Sequence, residues 1–314
     1  MTKLSFRPIL ILVLIMTAFY ILISVYSGFD DILENFSSIN FVLIPVIIGI
    51  IFLSIVIRSY IQKLLLDELE IKLSLKQNLS LFLCGLALII SPGGTGQVIK
   101  SYFLKKKYGI SISKTVPITL FERYYDLIGI SILVGISICV VFSVESFLIL
   151  IIASVIIGLI AIAIRKELFF KRLLSLQQKI VFIKKLEIDE KEFFSSIKIL
   201  CKPRISSKVT ILTILVTFWD GFAIFLGFQA FQSNIGYFEA TQFYYTSLMI
   251  GVMSFIPGGM GIVEGGFTIL SSRYLEIATG VSIIIFIRLT TIWFSTFLGI
   301  CVSFQELFGK NRIK

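Results

Sequence analysis

The sequence predicts an all-α, polytopic membrane protein: six transmembrane helices and two re-entrant hairpins, set out as two inverted repeats in one integral-membrane domain over 1–314. Three observations lead there. Of the 314 residues, 57% are hydrophobic and 15% charged, with a mean hydropathy of +0.98; a soluble domain is nearer half apolar and a quarter charged. The apolar residues form unbroken runs such as Ile9 to Val25, unlike the alternating strands of a β-barrel. Two of the apolar stretches are interrupted by Pro-Gly-Gly.

Six runs are long enough to cross about 30 Å of hydrocarbon: 9–27, 41–61, 115–142, 146–164, 208–231 and 280–304. The first follows Lys3 and Arg7 like a signal peptide. It is too long for one and lacks a small-x-small cleavage site, so it reads as a retained span. The stretches 77–104 and 241–275 are broken at Pro92-Gly93-Gly94-Thr95-Gly96 and Pro257-Gly258-Gly259-Met260-Gly261. Proline removes a backbone donor and the glycines admit left-handed backbone, so neither stretch is expected to continue as one helix.

The loops give the orientation. Lys63, Lys72 and Lys76 precede the first broken stretch, and Lys105, Lys106, Lys107 and Lys114 follow it. Both its ends are therefore expected on the basic, cytoplasmic side. The second has Glu239 before it and Arg273 with Glu276 after it, so it is expected to enter and leave from outside. Lys3 and Arg7 at one terminus, and Lys310, Arg312 and Lys314 at the other, place both termini in the cytoplasm of a multi-pass protein of the cell membrane. The segment 165–207 interleaves Lys171, Arg172, Lys184, Lys185 and Lys198 with Phe169, Phe170, Phe193 and Phe194. It reads as amphipathic helices along the inner leaflet.

Composition also excludes. The net charge of +10 would suggest nucleic acid in a soluble protein; here it is the basic bias of cytoplasmic loops, and no nucleic-acid partner is expected. There is no His, the commonest metal ligand and general base. Cys84, Cys139, Cys201 and Cys301 make no CxxC pair, so no metal, cofactor or disulfide framework is indicated. No HExxH, GxSxG or nucleotide motif is seen, and the chain is not expected to be an enzyme.

The two halves repeat. Arg123 lies 31 residues after Pro92, and Arg288 lies 31 after Pro257. The flanks agree as well: Phe121-Glu122-Arg123 against Phe286-Ile287-Arg288. Repeat 1 runs over about 1–142 and repeat 2 over about 146–304, each with three crossings and one hairpin, so the copies are inverted. That is a transporter architecture, with its site between the halves near the midplane. At roughly 1.5 Å per residue each Arg is about 12 Å deep. A deep Arg must face a partner, water or an anion.

The residues expected to bind substrate are Pro92, Gly93, Gly94, Gly96, Gln97 and Arg123 from the first repeat, with Pro257, Gly258, Gly259, Gly261, Glu264 and Arg288 from the second. Half-helices starting after each turn would aim free N–H groups at a negative charge, with phosphate the natural guess. Glu122 and Asp126 either neutralise Arg123 or compete with the ligand for it. Asp220 and Glu264 are buried acids, functional candidates or structural hydrogen-bonding groups. Lys100 either lines the inner mouth or snorkels.

Ser91-Pro92-Gly93-Gly94-Thr95-Gly96-Gln97, Phe121-Glu122-Arg123-Tyr124-Tyr125-Asp126 and Pro257-Gly258-Gly259-Met260-Gly261-Ile262-Val263-Glu264-Gly265-Gly266 together resemble the lysylphosphatidylglycerol synthase transmembrane family, over nearly the whole chain. The resemblance implies a flippase-like domain. In two-domain relatives it moves aminoacylated phospholipid outward, while a soluble domain transfers the amino acid from tRNA. No such domain is expected here, so aminoacyl transfer is not carried over. The function expected is transport or flipping of an anionic phospholipid or lipid-linked substrate. The alternatives are transport of a small soluble anion, or a membrane partner for a separate synthase. Membrane lipids are the expected partners; a homodimer and a separate synthase or glycosyltransferase are the others considered.

Overall fold

In a computed structural model the protein is described over residues 7–91, 96–165 and 189–308, and among these it is helical with no strand. The helices are α1 (Arg7–Tyr26), α2 (Phe29–Ser37), α3 (Leu43–Glu68), α4 (Leu75–Leu86), α5 (Ile99–Tyr108), α6 (Ile112–Val140) and α7 (Val144–Arg165). They continue with α8 (Glu190–Leu200), α9 (Pro203–Ala230), α10 (Tyr237–Met253), α11 (Ile262–Ser271), α12 (Ile277–Arg288) and α13 (Phe294–Phe308). A π turn, Leu289–Trp293, joins α12 to α13.

Five of these units are long and apolar enough to cross a membrane: Leu43–Glu68, Ile112–Val140, Val144–Ile162, Pro203–Ala230 and Ile277–Glu306. Helix α1, 20 residues long, lies over the first expected span. The last span is less uniform than the sequence suggests, because the π turn widens it just after Arg288. Helix α9 starts at Pro203, ahead of the expected 208, because proline at the first position needs no backbone donor.

The helix ends follow from local chemistry. Ser74 and Gln77 form a reciprocal capping box on α4: Gln77 N donates to Ser74 Oγ at 3.3 Å and Ser74 N to Gln77 Oε1 at 2.9 Å. Gly109, at φ 69°, turns the chain out of α5, donating to Lys105 O. Asp189 Oδ1 caps α8 by accepting from Lys191 N at 2.8 Å.

Side-chain and backbone ties group the helix ends into two sets. In one, Lys202 at the start of α9 meets Glu68 at the end of α3 (3.2 Å), and Glu306 on α13 meets Lys107 at the end of α5 (2.8 Å) and Ser80 on α4 (2.7 Å). In the other, Asn40 N donates to Ala230 O, joining the start of α3 to the end of α9. Arg273, after α11, meets Glu145 at the start of α7 at 2.7 Å.

The packing sorts by polarity. Leu148, Ile151, Ile152, Val155 and Leu159 on α7 stay exposed, as side chains facing acyl chains do. Between helices the contacts are close or polar, as expected where apolar burial gives no driving force. A Cβ on Gly299 of α13 would lie 2.7 Å from Leu83 O of α4. Asn78 on α4 donates to Ser59 O and Oγ on α3 and accepts from Gln62 Nε2.

Beyond Arg165, the segment 165–207 is described from residue 189 on. Phe193, Phe194, Ile197 and Leu200 of α8 are buried in the protein's own core beside Phe121 and Tyr125 of α6. They cover α6. Residues 166–188, including Phe169, Phe170, Lys171, Arg172, Lys184 and Lys185, lie outside the described residues.

Candidate functional site

The second glycine turn is a compact reversal. Helix α10 ends at Met253, a 3₁₀ turn covers Pro257–Gly259, and α11 starts at Ile262. Gly258, Gly259 and Gly261 have φ of 62°, 66° and 81°, a region where a side chain is strained. Gly259 is also pressed on α10, its missing Cβ being 2.6 Å from Val263 Cγ2 and 3.2 Å from Gly251 Cα.

Behind this turn sit Glu264 and Arg288, both 0% exposed. Glu264 Oε1 accepts from Arg288 Nε at 3.0 Å and from Tyr20 Oη at 3.1 Å. Its Oε2 accepts from Gly261 N at 2.8 Å, at the mouth of α11. A terminal Arg288 nitrogen also donates to Gly258 O. The sequence suggests a helix N-terminus and a deep Arg waiting for an external anion. In this conformation both are satisfied by the protein's own carboxylate, the position a negative charge would otherwise fill.

The first turn is different. Pro92, Gly93, Gly94 and Thr95 lie outside the described residues. From Gly96 on, the chain enters α5 through Gly96 N donating to Ser91 Oγ at 2.5 Å. Gln97 is 1% exposed, and its Oε1 accepts from Arg123 Nη2 at 3.1 Å. Arg123 also meets Asp126 Oδ2 at 3.2 Å, one turn along α6. Its side chain is 37% exposed, against 1% for Arg288. Arg123 Nε and Gln97 Nε2 are buried donors without a partner among the described residues.

Glu122 does not pair with Arg123. It points the other way, to Lys100 of α5, and the pair is 6% and 4% exposed. Lys100 therefore neither snorkels nor lines an open mouth; its stem passes over Gly85, where a Cβ would stand 2.7 Å from Lys100 Cγ and Cδ, and its ammonium lies 5.1 Å above the Phe82 ring. Asp220 accepts from Arg58 Nη2 at 2.8 Å and from Ser54 Oγ. Arg58 also holds Asp126 Oδ1.

Arg58 is the residue the sequence reading missed. It bridges α3 to α6 and α9, and the rule that singles out Arg123 applies to it: a lone Arg in an apolar span. The result is a network of three cations (Arg58, Lys100, Arg123) and three carboxylates (Glu122, Asp126, Asp220). Tyr244 of α10 lies within electrostatic reach of both Asp220 and Arg288, so the network approaches the second turn.

The arrangement offers hydrogen-bond donors and a partly exposed guanidinium for an oxyanion. No group of three or more His, Cys, Asp or Glu suited to a metal occurs among the described residues. No curated protein matches the chain significantly. The profile of the lysylphosphatidylglycerol synthase TM region matches residues 9–299. With that span, with five apolar helices of crossing length, and with charged pairs held deep between them, this multi-pass membrane protein belongs to the lysylphosphatidylglycerol synthase TM-region family.

Proposed function

We propose that the protein is a transporter, not an enzyme, that moves an anionic lipid across the cell membrane. The lipid's phosphate is held at the first hairpin by Arg123, by Gln97 Nε2 and by the backbone at the mouth of α5. The observation that carries this is the contrast among the deep cations. Lys100 and Arg288 are enclosed with carboxylates and Arg58 grips two, whereas Arg123 keeps 37% of its side chain exposed and has an Nε without a partner among the described residues.

We read the layout as six crossings and two re-entrant hairpins in inverted repeats, with both termini cytoplasmic. Supporting this, the end of α5 is tied to the end of α13 and the segment after α11 to the start of α7. Each hairpin thus closes on its own set of helix ends. Rocking of the halves would then carry the bound headgroup between faces, as inverted repeats allow.

Reconstitution in vesicles tests the reading. Labelled phosphatidylglycerol should change leaflets faster with the protein than without it, and Arg123→Gln should slow that exchange at least tenfold, the loss of about 1.4 kcal/mol of binding. Labelled phosphatidylcholine and trapped inorganic phosphate are the comparison substrates; transport of phosphate alone would assign a soluble anion. Equal exchange by wild type and Arg123→Gln would refute the site.

A further inference from the structure

We infer that Glu122 is a proton site linked to anion binding at Arg123. When the anion binds, the Glu122 carboxylate takes one proton from water, so the loaded site gains no net charge. The inference rests on the reading of Arg123 given above and adds the coupling ion.

The choice of Glu122 follows from the oxygens. Among the acids inside the long helices and turns, Glu264 has Oε1 on Arg288 and Tyr20 and Oε2 on Gly261 N. Asp126 has Oδ1 on Arg58 and Oδ2 on Arg123. Asp220 has Oδ1 on Ser54 and Oδ2 on Arg58. Glu122 uses Oε2 for Lys100 and leaves Oε1 buried with no partner among the described residues. Among these four acids it is the one carboxylate oxygen with no donor among the described residues, so a proton added there competes with none.

The charges around it give the sign. From α5, Glu122 faces Lys100; along α6 its neighbours are Arg123 and Asp126; α3 supplies Arg58, which acts through Asp126. Helix α4 brings the Phe82 ring under Lys100, and α8 covers α6 with Phe193, Phe194 and Ile197. Asp220 of α9 faces Arg58 and Ser54, and Tyr245 of α10 lies within electrostatic reach of Asp220 and Arg58. Three positive and three negative groups balance in the unloaded site. A phosphodiester adds one negative charge where water is scarce, which is costly unless compensated. It also opposes the field of Arg123, the residue next to Glu122 on α6. Protonation restores neutrality and frees the Lys100 ammonium to turn toward the anion. A cavity of about 10 Å³ is lined by Lys100 together with Gln62, Ser101, Thr115 and Thr119. It is close to the room one water needs.

One proton per monoanionic lipid makes the step electroneutral. In vesicles carrying a gradient of one pH unit, labelled phosphatidylglycerol should accumulate up to tenfold in the alkaline-side leaflet. A membrane potential at equal pH should leave the leaflet ratio unchanged. Glu122→Gln should abolish the response to the pH gradient. Wild-type exchange indifferent to the gradient overturns the inference while leaving the transport reading intact; absence of exchange in any arm defeats the transport reading. A measurement that needs no transport decides the proton site in either case. Infrared difference spectra between the lipid-free and the phosphatidylglycerol-bound protein at one pH should show a protonated carboxylic-acid carbonyl band in wild type that Glu122→Gln lacks. Identical bands in the two proteins overturn the inference. Where Glu122→Gln does not fold, Lys100→Gln/Glu122→Gln removes both charges together and serves in its place, with the same outcomes.

Discussion

Glu264→Gln separates the two hairpins most sharply. Glu264 accepts three hydrogen bonds at 3.0, 3.1 and 2.8 Å, from Arg288, Tyr20 and Gly261 N, with no exposed surface. An amide of the same shape has one acceptor oxygen. Its NH₂ group must then face either the Gly261 N–H or the donors of Arg288 and Tyr20. The variant therefore sets a donor against a donor and leaves the Arg288 charge unpaired. Removing one partner of a buried pair costs about 3–5 kcal/mol. The lost acceptor at the mouth of α11 falls within that figure, since it belongs to the same carboxylate. Arg288→Met alone leaves Glu264 charged and costs a similar amount. The double variant removes both charges, so it should be more stable than the sum of the single losses allows, by about 2 kcal/mol or more of coupling. Thermal unfolding of the detergent-solubilised protein, followed by intrinsic fluorescence, measures all four members of the cycle. Glu264→Gln as stable as wild type, or losses that simply add, would refute the view that this pair locks the second turn.

Asp126→Asn frees Arg123 from its neighbouring carboxylate and should tighten binding of labelled phosphatidylglycerol, whereas Arg58→Gln releases Asp126 onto Arg123 and should weaken it. The same sign for both in a binding titration would contradict the network. Gly259→Ala places a methyl group at φ 66° and 2.6 Å from Val263 Cγ2, and should lower stability by about 1–3 kcal/mol in the same unfolding assay. Ile99→Glu gives the first hairpin an acid near Arg123 and should abolish phosphatidylglycerol exchange while the protein remains folded by size-exclusion chromatography; undiminished exchange would sink the role given to Arg123.

The helices were legible because length and apolarity alone define a span, and the breaks because Pro-Gly-Gly cannot continue one. Arg123, Arg288, Asp220 and Glu264 stood out for a similar reason: charge is rare in apolar helices. Partners were harder. Spacing along one helix suggested Asp126 for Arg123, and the two do meet. Spacing also suggested Glu122, yet adjacent residues on a helix point about 100° apart, and Glu122 turns to Lys100 on a different helix. Arg58 lies near the end of the run 41–61, where a cation passes for the inner border of a span; α3 in fact continues to Glu68 and carries Arg58 within its length. The apolar face of α8 was visible as a pattern, but the pattern does not distinguish a lipid surface from a protein one.

On the proposed reading of two inverted repeats, the copies solve the same problem with opposite signs. Seven residues after Pro257 stands Glu264, which reaches Arg288 on the following long helix. Seven residues after Pro92 stands Ile99, so the first hairpin offers Arg123 no such acid. One position further on is Lys100 in the first repeat, against Gly265 in the second; Glu122 precedes Arg123 where Ile287 precedes Arg288. Each broken stretch is thus joined to the following long helix by one buried ion pair, Lys100–Glu122 in one and Glu264–Arg288 in the other. With the acid and base exchanged between turn and helix, Glu264 consumes Arg288, and the proposed function assigns Arg123 to the ligand. A symmetric scaffold with both guanidiniums neutralised would have no strong attraction for an anion. One with both free would carry two deep charges at a cost of about 2.5–3.5 kcal/mol each even on the lenient insertion scale. The three differences, Ile99 for Glu264, Lys100 for Gly265 and Glu122 for Ile287, leave one, shared with Asp126 and, on the proposed reading, open to a ligand.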